Sequence, residues 1–174
     1  MKNIKTQNIT LIALMSAILC IIGPFVIPIG MVPMSLTNLV IYLTIILLDK
    51  KRATISVAVY LLIGFVGLPV FAGFTGGAGK LLGPTGGYLM GYLVLSLVAG
   101  MILEKVERAK MLALSMGTIG LYLIGTLWLM FQSKLSFMSA LTVGVLPFVV
   151  FDVIKILIAV VLGNSIRKRM HNML

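Results

Sequence analysis

Acidic side chains are nearly missing from this chain: Asp and Glu together number 4 in 174 residues, and charged residues of every kind make up only 10%. An average soluble domain is about 25% charged and roughly 45 to 50% apolar. With 60% hydrophobic residues and a mean hydropathy of +1.18, the composition excludes an ordinary water-soluble domain. Cysteine occurs once, as Cys20, so neither a disulfide nor a cysteine metal cluster is available within the chain. Histidine also occurs once, as His171, in a basic tail where a solvated role is expected. These scarcities leave no Ser/His pair, carboxylate dyad or ligand cluster in the apolar segments, so no catalytic residues, metal site or cofactor are expected.

What the chain has instead is long apolar runs. Residues 6–48 contain no Asp, Glu, Lys or Arg, and a hydrocarbon core about 30 Å thick needs roughly 20 apolar residues per helix, so two helices fit there. A secretory signal would give way to polar sequence, whereas here the apolar character continues to Leu162. Continuous apolar runs lack the alternation of a barrel, which leaves helices as the spanning elements. The expectation is an all-α integral membrane protein, one domain over residues 1–174, with six transmembrane helices in one bundle at 7–25, 34–48, 53–70, 87–103, 111–131 and 147–166.

The net charge of +10 does not point to nucleic acid, because the basic residues are not gathered on one solvated face. They fall between the apolar runs, at Lys2 and Lys5, Lys50 to Arg52, Lys105, Arg108 and Lys110, and Arg167 to Arg169. Lys80, Lys134 and Lys155 are the exceptions. With six crossings the four groups share one side, which by the positive-inside rule makes both termini cytoplasmic in a multi-pass protein of the cell membrane. The outside then receives the Gly23–Pro33 stretch, the glycine-rich connection between helices three and four, and the Gln132–Leu146 stretch.

The glycine-rich connection reads FAGFTGGAGKLLGPTGGYLMGY from Phe71 to Tyr92. Glycine permits positive φ and close backbone approach, so this segment suits a compact capping loop that presents backbone N–H groups. It is not a phosphate-binding loop: that pattern needs glycine where Phe74 stands and Ser or Thr where Leu81 stands. Gly87 and Gly91 make a G-x-x-x-G spacing that fits close helix packing.

Asp152 and Lys155 are the charged residues placed within a predicted helix, in PFVVFDVIK from Pro147 to Lys155. Each charge costs roughly 2.5 to 3.5 kcal/mol at the centre of a membrane helix, so a partner or a wet cavity is expected. Their i, i+3 spacing puts both on one face. A mutual ion pair, a ligand site and an ion relay are all compatible with that spacing, and the relay lacks a second intramembrane titratable group. Trp128 is either an interfacial belt residue or an apolar wall for a ring-shaped ligand. Asn38, within the second apolar run, carries an amide that another helix or a ligand must satisfy when buried.

The glycine-rich stretch, P-F-x-x-x-D-x-x-K at Pro147 to Lys155 and the upstream Gly125-x-x-Trp128 together resemble the BioY family, the biotin-specific S components of energy-coupling factor (ECF) transporters, over essentially the whole chain. The resemblance implies a prokaryotic membrane protein that captures biotin on the outer side with high affinity and hydrolyses no ATP itself. It implies partners as well: a transmembrane coupling protein (the T component) and two ATPase subunits, with small residues of the first helix, here Ala13 and Ala17, on the docking face. Packing within the chain is the other reading of that A-x-x-x-A spacing. Asp152 suits the two ureido N–H donors of biotin, and Lys155 either the ureido oxygen or the carboxylate. Trp128, Phe74 and Tyr88 are expected as apolar walls, and Gly76, Gly77 and Gly86 as backbone contacts. An S component for another small vitamin is the alternative, since the architecture is shared.

Overall fold

The apolar runs fold as helices, and two further short helices form where loops were expected. The computed structural model describes residues 4–28 and 32–173. In chain order it contains α1 (Ile4–Ile22), β1 (Val26–Ile27), β2 (Met34–Ser35), α2 (Thr37–Leu47), α3 (Lys50–Phe65), α4 (Ala78–Leu82), α5 (Gly86–Lys105), α6 (Lys110–Ser133), α7 (Phe137–Gly144) and α8 (Leu146–Met173). Three of these are long and apolar enough to cross a membrane: α5, α6 and the Leu146–Arg169 part of α8, with mean hydropathies of 1.8, 1.7 and 2.4. α1 and α2 are apolar and shorter.

Several boundaries differ from the expected ones for local reasons. α1 stops at Ile22 instead of residue 25, because Pro24 cannot continue the helical ladder. The chain then turns into a small antiparallel hairpin in which Val26 faces Ser35 and Ile27 faces Met34. Residues 34 and 35 therefore belong to a strand, and α2 begins only at Thr37, whose N–H donates to Ser35 Oγ at 2.9 Å. α3 starts three residues early because Asp49 caps it, accepting from the Arg52 N–H at 3.0 Å and from Arg52 Nε at 2.7 Å. Partial burial disfavours the Asp49 carboxylate, but the Arg52 contacts outweigh it and hold the carboxyl below its ordinary value. α3 ends at Phe65, five residues short, where Gly67 at φ +113° takes a conformation closed to most side chains.

In the glycine-rich connection Phe71 bridges to Thr75, and the one-turn α4 follows. α5 and α6 form the most extensive helix pair. A Cβ at Gly91 would lie 2.7 Å from Leu121 Cδ1, and one at Gly117 would lie 2.8 Å from Leu95 Cδ1. The glycine spacing at the start of α5 thus serves close packing.

Ion pairs gather at one end of the bundle. Lys50 meets Glu104 and Arg167 meets Glu107, each at 2.7 Å, drawing together the α2–α3 turn, the α5–α6 turn and the end of α8. At the opposite end Trp128 Nε1 donates to the Gly83 carbonyl at 2.9 Å and Gln132 Nε2 to the Leu82 carbonyl at 2.8 Å, fastening the glycine-rich segment to α6. Lys2 lies outside the described residues, as do residues 29–31 of the first connection and the side chains of Lys5 and His171. Between the two ends the core holds Tyr42, Tyr60, Phe71, Leu95 and Leu121, all nearly inaccessible. Hydroxyls cross-link it, with Ser16 donating to the Ser56 carbonyl at 3.0 Å and Tyr42 bonded to Thr118 at 2.8 Å.

Candidate functional site

Apart from Asp152 and Lys155 the Leu146–Gly163 part of α8 is apolar all round, yet one stripe of it is buried: Phe148, Asp152, Lys155, Ile156, Ala159 and Gly163, at the spacing of one helix face. Val149, Val150, Val153, Ile154, Leu157 and Ile158 are exposed and suit contact with lipid. The charges therefore share the inward stripe, with only 3% of Asp152 and 7% of Lys155 accessible. Lys155 Nζ donates to Asp152 Oδ1 at 2.9 Å.

Two more helices converge on the other carboxylate oxygen. Asn38 Nδ2 of α2 donates to Asp152 Oδ2 at 3.0 Å, and the Tyr122 hydroxyl of α6 donates to the same atom at 2.6 Å. The buried charge is thus paired and hydrogen-bonded, as a low-dielectric site demands. Capacity remains: a carboxylate offers about four lone-pair positions, and three are used by the described residues. The Lys155 ammonium has three N–H donors, of which one is engaged among the described residues. The cluster can still accept one hydrogen bond and donate others to a guest.

It has somewhere to do so. Two adjoining cavities of about 50 Å³ each share Val32, Pro33, Ser35, Tyr88 and Tyr92 as walls. The first continues to Asn38, Leu121, Tyr122, Phe148, Asp152 and Lys155. The second continues to Thr37, Tyr60, Ala72, Lys80, Thr85 and Leu89. Tyr88 and Tyr92 stand one helical turn apart on α5, and the Tyr88 hydroxyl donates to the Gly144 carbonyl at 3.0 Å, which fixes its ring. Small-molecule sites usually measure about 300 to 1,000 Å³, so a vitamin-sized guest must widen this one.

The structure brings together Asn38, Tyr88, Asp152 and Lys155 of the residues expected from sequence. It places the others elsewhere. Trp128, expected as a wall, borders neither cavity; its Cβ packs on Gly87 and its indole N–H holds Gly83. Phe74 is 62% exposed and meets Phe25 edge-on, at a ring-centre distance of 5.4 Å. Gly76 packs against the Leu68 backbone, Gly86 against the Leu81 carbonyl, and the Gly77 N–H donates to the Gly64 carbonyl at 2.7 Å, so the glycines build the loop and do not line the cavities. Ala13 and Ala17 are exposed on the outward face of α1, while Met15, Ser16 and Leu19 on its other face are buried, so the small residues are not used for packing within the chain. Tyr92, Tyr122 and Lys80 were not anticipated. A hydroxyl in an apolar helix needs a partner, which was the available signal for Tyr122.

Comparison with known proteins agrees with this architecture. The sequence model of the BioY family matches residues 1–172. The chain is 37% identical over 169 residues to the biotin transporter BioY2 of Lactococcus lactis, covering 95% of this chain and 93% of that protein. It is 40% identical over 153 residues to the biotin transporter BioY of Thermotoga maritima, covering 86% and 90%. A crystal structure described as the S-component for biotin from an ECF-type ABC transporter superposes with a TM-score of 0.89 at 34% identity, covering 97% of this chain and 94% of the other.

The ion pair carries a stability prediction. Removing one partner of a buried pair costs about 3 to 5 kcal/mol, whereas replacing both by apolar residues is often nearly neutral. Asp152→Leu therefore lowers the thermal unfolding midpoint of the detergent-purified protein, and the double change Asp152→Leu with Lys155→Met regains most of the loss. A double variant as unstable as the sum of the singles would contradict coupling.

Proposed function

Because the chain belongs to the BioY family, we propose that it is the biotin-binding S component of an ECF-type uptake transporter, taking biotin into the Asp152–Lys155 cavity for import driven by partner subunits. It is a transporter subunit and not an enzyme. The observation that carries this reading is a buried carboxylate with one acceptor position to spare, beside an ammonium, facing a cavity walled by tyrosines. One ureido N–H of biotin donates to the spare Asp152 position, the ureido oxygen accepts from Lys155, and the fused rings lie against Tyr88 and Tyr92. Such charge-assisted bonds reject an analogue without the donor, because a buried charge is then left short of a partner.

The chain crosses the cell membrane six times as one domain, with both termini and the ion-paired end in the cytoplasm and the glycine-rich connection outside. Charge supports this orientation, since Lys50, Arg52, Lys110 and Arg167 collect at one end and Lys80 and Lys134 remain for the other. At about 1.5 Å per residue, α1 is ~28 Å long and α3 ~24 Å, close to the ~30 Å hydrocarbon core. α2 is only ~16 Å, and the preceding hairpin carries its crossing onward. The exposed Ala13–Ala17 face of α1 is where the transmembrane coupling protein docks, and that protein carries two ATPase subunits.

Calorimetric titration of the purified protein with biotin, its desthio analogue and an unrelated vitamin tests the ligand; saturable binding of the unrelated vitamin and none of biotin would reassign the substrate. Asp152→Asn lowers biotin affinity at least about tenfold, equivalent to ~1.4 kcal/mol, while the protein still inserts, and an unchanged affinity would remove Asp152 from the site. Replacing Ala13 and Ala17 by leucine leaves biotin binding intact and abolishes co-purification with the coupling protein. Normal recovery of the complex would place docking elsewhere.

A further inference from the structure

The second cavity ends at a cation for which the chain supplies no carboxylate. There are 4 acidic residues in all. Asp49 is bound to Arg52, Glu104 to Lys50, Glu107 to Arg167 and Asp152 to Lys155. Every acidic side chain is committed, three of them at the far end of the bundle. Lys80, half-buried on α4, borders the second cavity together with the hydroxyl-bearing Thr37, Tyr60, Thr85, Tyr88 and Tyr92.

We propose that Lys80 is the anion-binding pole of this site and receives the ligand's carboxylate, so that the cavity reads a guest from both ends. This rests on the biotin reading above and extends it. Asp152 and Lys155 take a neutral, urea-like ring at one pole; Lys80 takes a carboxylate at the other; and the aliphatic spacer between them runs along Tyr88 and Tyr92, which border both cavities.

The rival is Lys155, and electrostatics argues against it. Its ammonium lies 2.9 Å from Asp152 Oδ1, so a ligand carboxylate placed there would also face the Asp152 charge in a medium of low dielectric. Lys80 has no such neighbour. Lys134, also near the glycine-rich end, is exposed at the C-cap of α6 and borders neither cavity. With two cations and one carboxylate along the joined cavities, a single negative charge on the guest completes neutrality. The ligand class is therefore a monocarboxylate whose far end is a neutral ring bearing N–H donors.

The test is calorimetric titration of the full-length protein with biotin and with biotinol, in which the carboxylate is reduced to an alcohol. The native protein prefers biotin by about tenfold or more; Lys80→Met loses about tenfold in biotin affinity while its biotinol affinity stays within about twofold; and Lys80→Arg retains biotin binding. Native-like biotin affinity in Lys80→Met overturns the Lys80 assignment, as does an equal loss for both ligands, which marks a packing role. Either result leaves the biotin reading standing. Failure of the native protein to bind biotin overturns that reading and this one with it.

Discussion

The Asp152–Lys155 pair is the constraint around which the bundle is arranged. Two charges on an otherwise apolar helix cannot face lipid at acceptable cost, so they select which face of α8 turns inward. Having turned inward, they need partners of complementary chemistry from neighbouring helices. Asn38 of α2 and Tyr122 of α6 provide them on a single carboxylate oxygen, and in doing so tie three helices together at one point. The rest of the Leu146–Gly163 stretch of α8 is free to be greasy, and it is.

A cluster built this way is partly satisfied by design. It is stable enough to stay buried, yet among the described residues one lone pair of Asp152 and N–H donors of Lys155 remain to be filled. The adjoining cavities are lined by the same two tyrosines of α5, held in place because α5 and α6 pack at glycine distance and because the Tyr88 hydroxyl is anchored to Gly144. The rigid floor of the site is thus made by α5, α6 and α8. Its other side is closed by Val32, Pro33 and Ser35 and by the glycine-rich segment, which is held by the Trp128 and Gln132 bonds, the Gly77–Gly64 backbone bond and the buried Phe71 ring.

Much of this was legible in the sequence where a physical cost marks a residue out. A carboxylate and an ammonium in an apolar helix announce themselves, and so does a lone buried amide such as Asn38. Tyr92 and Tyr122 do not, because tyrosine is ordinary in membrane helices and nothing local says which hydroxyl points at a charge. Trp128 misled for the converse reason: its ring suggested a wall, but its N–H required an acceptor and found the Gly83 carbonyl. The glycines of the connection marked a special backbone correctly, without telling a loop that holds its own shape from one that touches a guest. Lys80 became meaningful only when the ion pairs showed that every acid in the chain was already taken. Helix ends shifted wherever a cap or a proline decided them, as Asp49 did for α3 and Pro24 for α1.

A crystal structure of the protein grown with biotin tests the central claim most directly. The account predicts a ureido nitrogen within about 3 Å of an Asp152 carboxylate oxygen, with the rings against Tyr88 and Tyr92. Biotin bound at another place, with the Asp152 cluster closed on its own side chains as before, would contradict it.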